Sequence, residues 1–93
     1  MRVATLRADF AIPSADSLKD KRRVVRSLRD RIRARYPVAV AEVADQDVWR
    51  RAVLGVAAVG AEGGPIESTL DEIQRMVASD TRIVVIEFVR DSF

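Results

Sequence analysis

The 93-residue chain contains no cysteine, no histidine and no asparagine. Without cysteine there is no disulfide framework, no thiol chemistry and no thiolate metal site. Without histidine the commonest general base and the commonest transition-metal ligand are missing. Zinc, haem and Ser-His-Asp chemistry are therefore excluded, and an enzyme built here would work with Asp, Glu, Lys, Arg or Ser alone. Long apolar runs are absent too. Nothing approaches the ~20 residues of a membrane helix, and Arg7 and Asp9 interrupt the start where a signal peptide needs an apolar region. The expected setting is the cytoplasm, away from the membrane. Aromatic residues make up only 5%, too few to pave a surface with rings.

What the chain does have is charge, unevenly placed. Between Ser17 and Tyr36 lie nine basic residues: Lys19, Lys21, Arg22, Arg23, Arg26, Arg29, Arg31, Arg33 and Arg35. Only Asp20 and Asp30 oppose them, so this segment carries +7; because the whole chain carries +2, the rest carries −5. A weakly basic protein thus has one strongly basic side and an acidic remainder.

Hydrophobic periodicity divides the chain into six elements. Residues 2–13 alternate with period two, as a strand does, and Pro13 ends the ladder for want of an N–H. Ser17 has the chemistry of a helix N-cap. The helix it opens runs to about Arg35, where Tyr36-Pro37 closes it. Leu18, Lys21, Val25, Leu28 and Ile32 fall on one stripe, with the Lys21 stem along its edge. Strands follow at 38–44 and 51–61. The apolar run Ala52 to Val59 in the second of these suits a central strand. Glu62-Gly63-Gly64-Pro65 reads as a turn and lacks the Lys-Ser/Thr of a phosphate-binding loop. A second, acidic helix extends from Pro65 or Ile66 to Ala78, and a last strand from Thr81 to about Arg90. One domain spanning 1–93 is expected, of class α+β: a ferredoxin-like β-α-β-β-α-β sandwich whose two helices cover one face of a four-stranded antiparallel sheet.

Strict alternation assigns Leu6, Phe10, Leu54, Val56, Val84, Ile86 and Phe88 to the helix-covered face. It sends Val3, Thr5, Arg7, Asp9, Val38, Val40, Glu42, Val53, Ala57, Val59, Ile83, Val85, Glu87 and Val89 to the open one. That face is too apolar for a monomer to expose, which predicts a homo-oligomer, most simply a two-fold dimer; the alternative is a covering loop, carrying Trp49. The open face offers no ring to stack a base, so RNA reading by the sheet is not expected. Arg7, Asp9, Glu42 and Glu87 suit paired charges at such an interface better than acid–base catalysis, which would lack its usual histidine. An acyl-phosphate hydrolase of similar fold and length needs an Arg with an Asn, and there is no Asn.

The basic helix has three readings: phosphate-backbone contact, a solvated charged face, or pairing with the acidic second helix of the same or another subunit. On duplex RNA the first would read shape rather than sequence. The polar segment Asp45-Gln46-Asp47-Val48-Trp49-Arg50-Arg51 holds the only Trp. It reads either as a contact loop or as a cap over the sheet edge.

Two stretches resemble a known family. Ser17 to Leu28 (SLKDKRRVVRSL) is similar to the SLKxKRxVxxSL signature of the YlxP-like family, and Ala41 to Gly55 (AEVADQDVWRRAVLG) to its AEVxxQDxWxRAxLG signature. Length and element order agree, so the resemblance covers essentially the whole chain. It implies a ferredoxin-like fold in a small bacterial cytoplasmic protein without established activity. It also implies RNA or ribosome association, because the family's genes often lie near those for translation initiation and ribosome maturation. No catalytic residue, metal or cofactor carries over. The expected nucleic-acid contacts are Lys19, Lys21, Arg22, Arg23, Arg26, Arg29 and Arg33, and the expected partner-contact loop is Gln46, Asp47, Trp49 and Arg50. The runner-up is a non-catalytic dimeric module that binds a protein or small ligand.

Overall fold

A computed structural model describes residues 1–93, and the elements appear in the expected order: β1 (Arg2–Ala11), α1 (Leu18–Arg35), β2 (Ala39–Ala44), β3 (Arg51–Gly60), α2 (Gly63–Ala78) and β4 (Val84–Ser92). The strands form one antiparallel sheet in the order β2-β3-β1-β4, the ferredoxin-like arrangement. The even-numbered residues Ala4 to Phe10 of β1, and Ala52, Leu54, Val56 and Ala58 of β3, face the helices. They join Val25, Leu28 and Ile32 of α1 and Ile66, Leu70, Ile73, Met76 and Val77 of α2 in one core. Each fully buried Leu, Ile or Phe contributes roughly 2 kcal/mol by leaving water, so the two helical stripes are the main reason both helices hold to the sheet.

The ends of α1 follow from their residues. Ser17 is extended, and its Oγ accepts from the Asp20 N–H at 3.1 Å. Asp20 Oδ2 in turn accepts from the Asp16 N–H at 3.0 Å, one residue before the cap, so two backbone donors at the helix start are satisfied reciprocally. At the other end the Tyr36 N–H reaches Ile32 O at 3.0 Å before Pro37 stops the helix. The start of α2 differs from expectation: Gly63, Gly64 and Pro65 form its first turn rather than a separate turn. Proline is tolerated there because its missing N–H would have had no intrahelical partner. The last strand likewise begins later and ends later than its composition suggested, at Val84 and Ser92.

Two β-bulges overturn part of the facial assignment. Asp9 pairs with Glu87 but Phe10 pairs with Val85, leaving Ile86 as the extra residue of β4. The bulge reverses the alternation below it. Ile83 and Val85 therefore turn to the core, while Val84 and Ile86 stand 56% and 50% exposed on the open face. On β2, Glu42 pairs with Leu54 and Ala44 with Val53, leaving Val43 extra. Val40 is in the core and Val38 packs against it, and Glu42, opposite Leu54, is on the helix side; none of the three belongs to the open face. The bulged Val43 instead folds over Gly55, where an added Cβ would come within 2.8 Å of its methyl. Glycine at 55 is what lets Val43 lie flat on the sheet. The expected convergence of Arg7, Asp9, Glu42 and Glu87 is lost with Glu42, and Asp9 is held by Arg51 at 3.0 Å.

A polar knot ties the α2–β4 connection to α1. The Asp80 side chain, 4% exposed, accepts from the Arg82 backbone N–H (2.9 Å), Nε (3.0 Å) and Nη2 (2.6 Å), with Arg31 of α1 at 3.6 Å. Arg82 Nη2 also donates to Ser27 Oγ of α1 at 3.2 Å. The Arg82 hydrogen bonds hold the Asp80 carboxyl below its ordinary 3.8, against the opposing effect of burial. Glu67 is lowered too, first by the Ser92 hydroxyl and then by Arg90. Both native values lie below the unfolded ones, so their stabilisation is complete above the unfolded range and is lost as pH falls through the native values. Asp80→Asn is expected to lower stability by about 1–2 kcal/mol at pH 7 and to have little effect near pH 2. Urea denaturation of both chains at the two pH values measures this; an equal loss at both would contradict it.

Candidate nucleic-acid interface

The cations of α1 separate into two groups. Lys19, Arg22, Arg23 and Arg26 follow one another at three, one and three residues, which keeps them on one face of the helix. With Ser27 and Asp30 they line a shallow depression of about 520 Å³ that contains no hydrophobic residue. None of the four makes an ion pair within the chain. All four lie in the N-terminal half of the helix, and Lys19 is in its first turn, where the macrodipole is itself positive.

The other basic residues of α1 are engaged elsewhere. Arg29 leans on Asp30 at 3.3 Å. Arg31 joins Asp80. Arg33 Nη2 donates to Val40 O at 2.9 Å, fastening the helix to β2. Arg35 stacks over the Tyr36 ring, 5.9 Å from its centroid, and touches Met76 Sδ. None of them reaches the acidic residues of α2, where Glu67 and Asp71 are both taken by Arg90 of β4 at 2.6 and 2.9 Å. Intramolecular pairing of the two helices does not occur.

Lys21 is a correction. Expected among the phosphate contacts, it is the one buried charged residue of the chain, 1% exposed. Its position on the apolar stripe, four residues before Val25, sends the side chain inward. Nζ donates to the Asp45 carbonyl and stands 2.9 Å from Glu42 Oε2. That oxygen is itself buried and has no well-aligned hydrogen bond, so the Glu42 contact is chiefly electrostatic while the aligned bond goes to Asp45. Lys21 is therefore a structural pin and is unavailable to a ligand.

The pin also places the loop. Asp45 sits at φ 58°, the left-handed region uncommon for a residue with a side chain. Its carbonyl accepts from both Lys21 and the Val48 N–H. Gln46 Nε2 donates to Glu42 O at 3.2 Å. At the far end Arg50 Nε donates to Ala15 O at 2.9 Å, with Nη2 3.5 Å from Asp16 Oδ1. Both anchors of the loop thus rest on the start of α1. Between them Gln46, Asp47 and Trp49 face solvent, Trp49 with 51% of its surface exposed. Trp49 does not act as a buried cap over the sheet. Arg50, expected as a partner contact, is chiefly a tether. Sequence reasoning missed the Lys21–Glu42–Asp45 contact and the Asp80–Arg82 knot. For the former the signal was present, a lysine on an apolar stripe; for the latter there was none.

The arrangement defines a class: a ferredoxin-like sandwich with an unpaired cationic face on its first helix, flanked by a tethered loop that exposes a tryptophan. No three acidic side chains gather to hold a metal ion, and no helix is long and apolar enough to cross a membrane. Residues 3–90 match the family described as "Protein of unknown function (DUF503)", and the chain belongs to that family. It is 36% identical over 67 residues to the "Uncharacterized protein YlxP" of Bacillus subtilis (strain 168), a match covering 72% of this chain and 70% of that protein. The two signature stretches that carried the resemblance meet in space at the Lys21–Glu42–Asp45 contact.

Proposed function

We propose that this chain is a non-catalytic RNA-contacting protein that lays the N-terminal half of α1 along the phosphates of structured RNA, free or within the ribosome. The observation that carries this reading is the set of four cations, Lys19, Arg22, Arg23 and Arg26, left without internal partners along one face of the N-terminal half of a helix. Clustering like charges there costs folding energy through mutual repulsion. A polyanion relieves it. Trp49, held beside the same helix end, offers a ring on which an unpaired base can stack. The two central strands take no part in this contact, because Phe10 and Phe88 face the core side and β1 and β3 carry no ring on the open face; the exposed Phe93, opposite Val3, lies just past the end of β4.

Four neutralised phosphates set the expected salt dependence. The slope of log K against log salt is about −3 to −4, so affinity falls about 100-fold between 50 and 200 mM salt. Fluorescence titration of the protein with a hairpin RNA across that range measures the slope. A flat response, or no binding at 50 mM, would sink the proposal.

A further inference from the structure

The open face of the sheet is the largest feature that the α1 surface leaves unused. On its β2–β3–β1 side the small residues Ala39, Ala41, Gly55 and Ala57, with Val43, Thr5 and the Arg7 side chain at its rim, line a mainly apolar concavity of about 340 Å³. On its β4 side Val84 and Ile86 project as a ridge, brought there by the bulge. Three exposed charges on this face have no ion-pair partner in the chain: Arg7 on β1, and Glu87 and Asp91 on β4, with Asp91 opposite Thr5. Glu87 stands beside Asp9, two positions along the strand from Arg7. The face therefore carries a hollow with a matching ridge on its opposite side, and a cation and an anion two positions apart on the adjacent strands β1 and β4.

From this we infer that the open face is the contact between two copies of this chain. A two-fold axis lying between the stacked sheets, oblique to the strands, carries the β4 ridge of each copy toward the hollow of the other. The same operation brings Arg7 of each copy toward Glu87 of the other, so every contact is made twice, as an isologous interface requires. The area suffices. Four strands spaced about 4.8 Å apart, by a strand of ten residues at about 3.4 Å each, present roughly 600 Å² in projection. The relief of the side chains brings this near the roughly 800 Å² per partner of a standard interface. The α1 cations lie on the opposite side of the molecule, so pairing through the sheet leaves them free.

Sedimentation equilibrium of the whole chain at about 50 μM is expected to give twice the 10.4 kDa chain mass. Arg7→Glu and Glu87→Arg, both at exposed positions that leave the core intact, are each expected to weaken the dimer about ten-fold or more, and the double exchange to restore most of it. Circular dichroism confirms that each variant is folded. A single-chain mass at 50 μM would overturn the inference, leaving the face to another partner. So would single variants that dimerise like the parent, or a double exchange that fails to recover.

Discussion

Lys21→Met is expected to destabilise the fold by about 2–3 kcal/mol, read as a fall of roughly 2 M in the urea midpoint with an unchanged m-value. The side chain lies 1% exposed between the Asp45 carbonyl and Glu42. Removing the ammonium leaves a buried carboxylate oxygen and a carbonyl without their cation. Breaking a buried pair by deleting one member costs about 3–5 kcal/mol; the 21% exposure left to the Glu42 side chain lets water relieve part of that. The double variant Lys21→Met with Glu42→Leu should recover most of the loss, since an apolar pair replaces the ionic one. The single variant should also loosen the loop it pins, so the Val48 amide, bonded to Asp45 O at 3.1 Å, exchanges faster with solvent. A Lys21→Met chain as stable as the parent would show that the pin contributes nothing.

Reversing three of the free cations, Arg22→Glu with Arg23→Glu and Arg26→Glu, should have the opposite profile. Stability is expected to stay within about 0.5 kcal/mol, because surface charges without partners contribute little to the fold. RNA affinity at low salt is expected to fall by at least about 100-fold, since three phosphate contacts become repulsions. Arg33→Ala, which removes a tether to Val40 O rather than a free cation, should cost only a few-fold. Hairpin titrations of the two variants side by side make the comparison. If Arg33→Ala cost as much as the triple reversal, the free-cation face would be the wrong surface.

These two variants also mark what could be read from the residues alone. The six elements were legible because each carries its own period: alternation in Ala4, Leu6, Ala8 and Phe10, and three- and four-residue spacing in Val25, Leu28 and Ile32. The ends of α1, at Ser17 and at Tyr36-Pro37, were legible for the same local reason. The open face was only half legible. A bulge shifts the alternation by one residue, and nothing in Val84-Val85-Ile86 or Ala41-Glu42-Val43 announces which residue will be the extra one; register with a strand far along the chain decides it. Gly63-Gly64-Pro65 misled because those residues favour turns in isolation, whereas in the fold they open a helix. The division among the α1 cations is likewise non-local. Lys21 was marked by its place on the apolar stripe, but Arg31 and Arg33 differ from Lys19 and Arg22 only through Asp80 and Val40, partners that no spacing within the helix reveals.

The two bulges have a consequence beyond reversing faces. Val43 and Ile86 are the extra residues of β2 and β4, the two outer strands of the sheet. An outer strand is an invitation to end-to-end polymerisation, because its outward N–H and C=O groups form a template for another chain. A bulge bends that template and breaks its spacing. Both margins of this sheet are spoiled in this way, so stacking chain upon chain into a continuous ribbon is disfavoured at either side. A small protein whose sheet has two open margins is thereby kept from growing into a fibre.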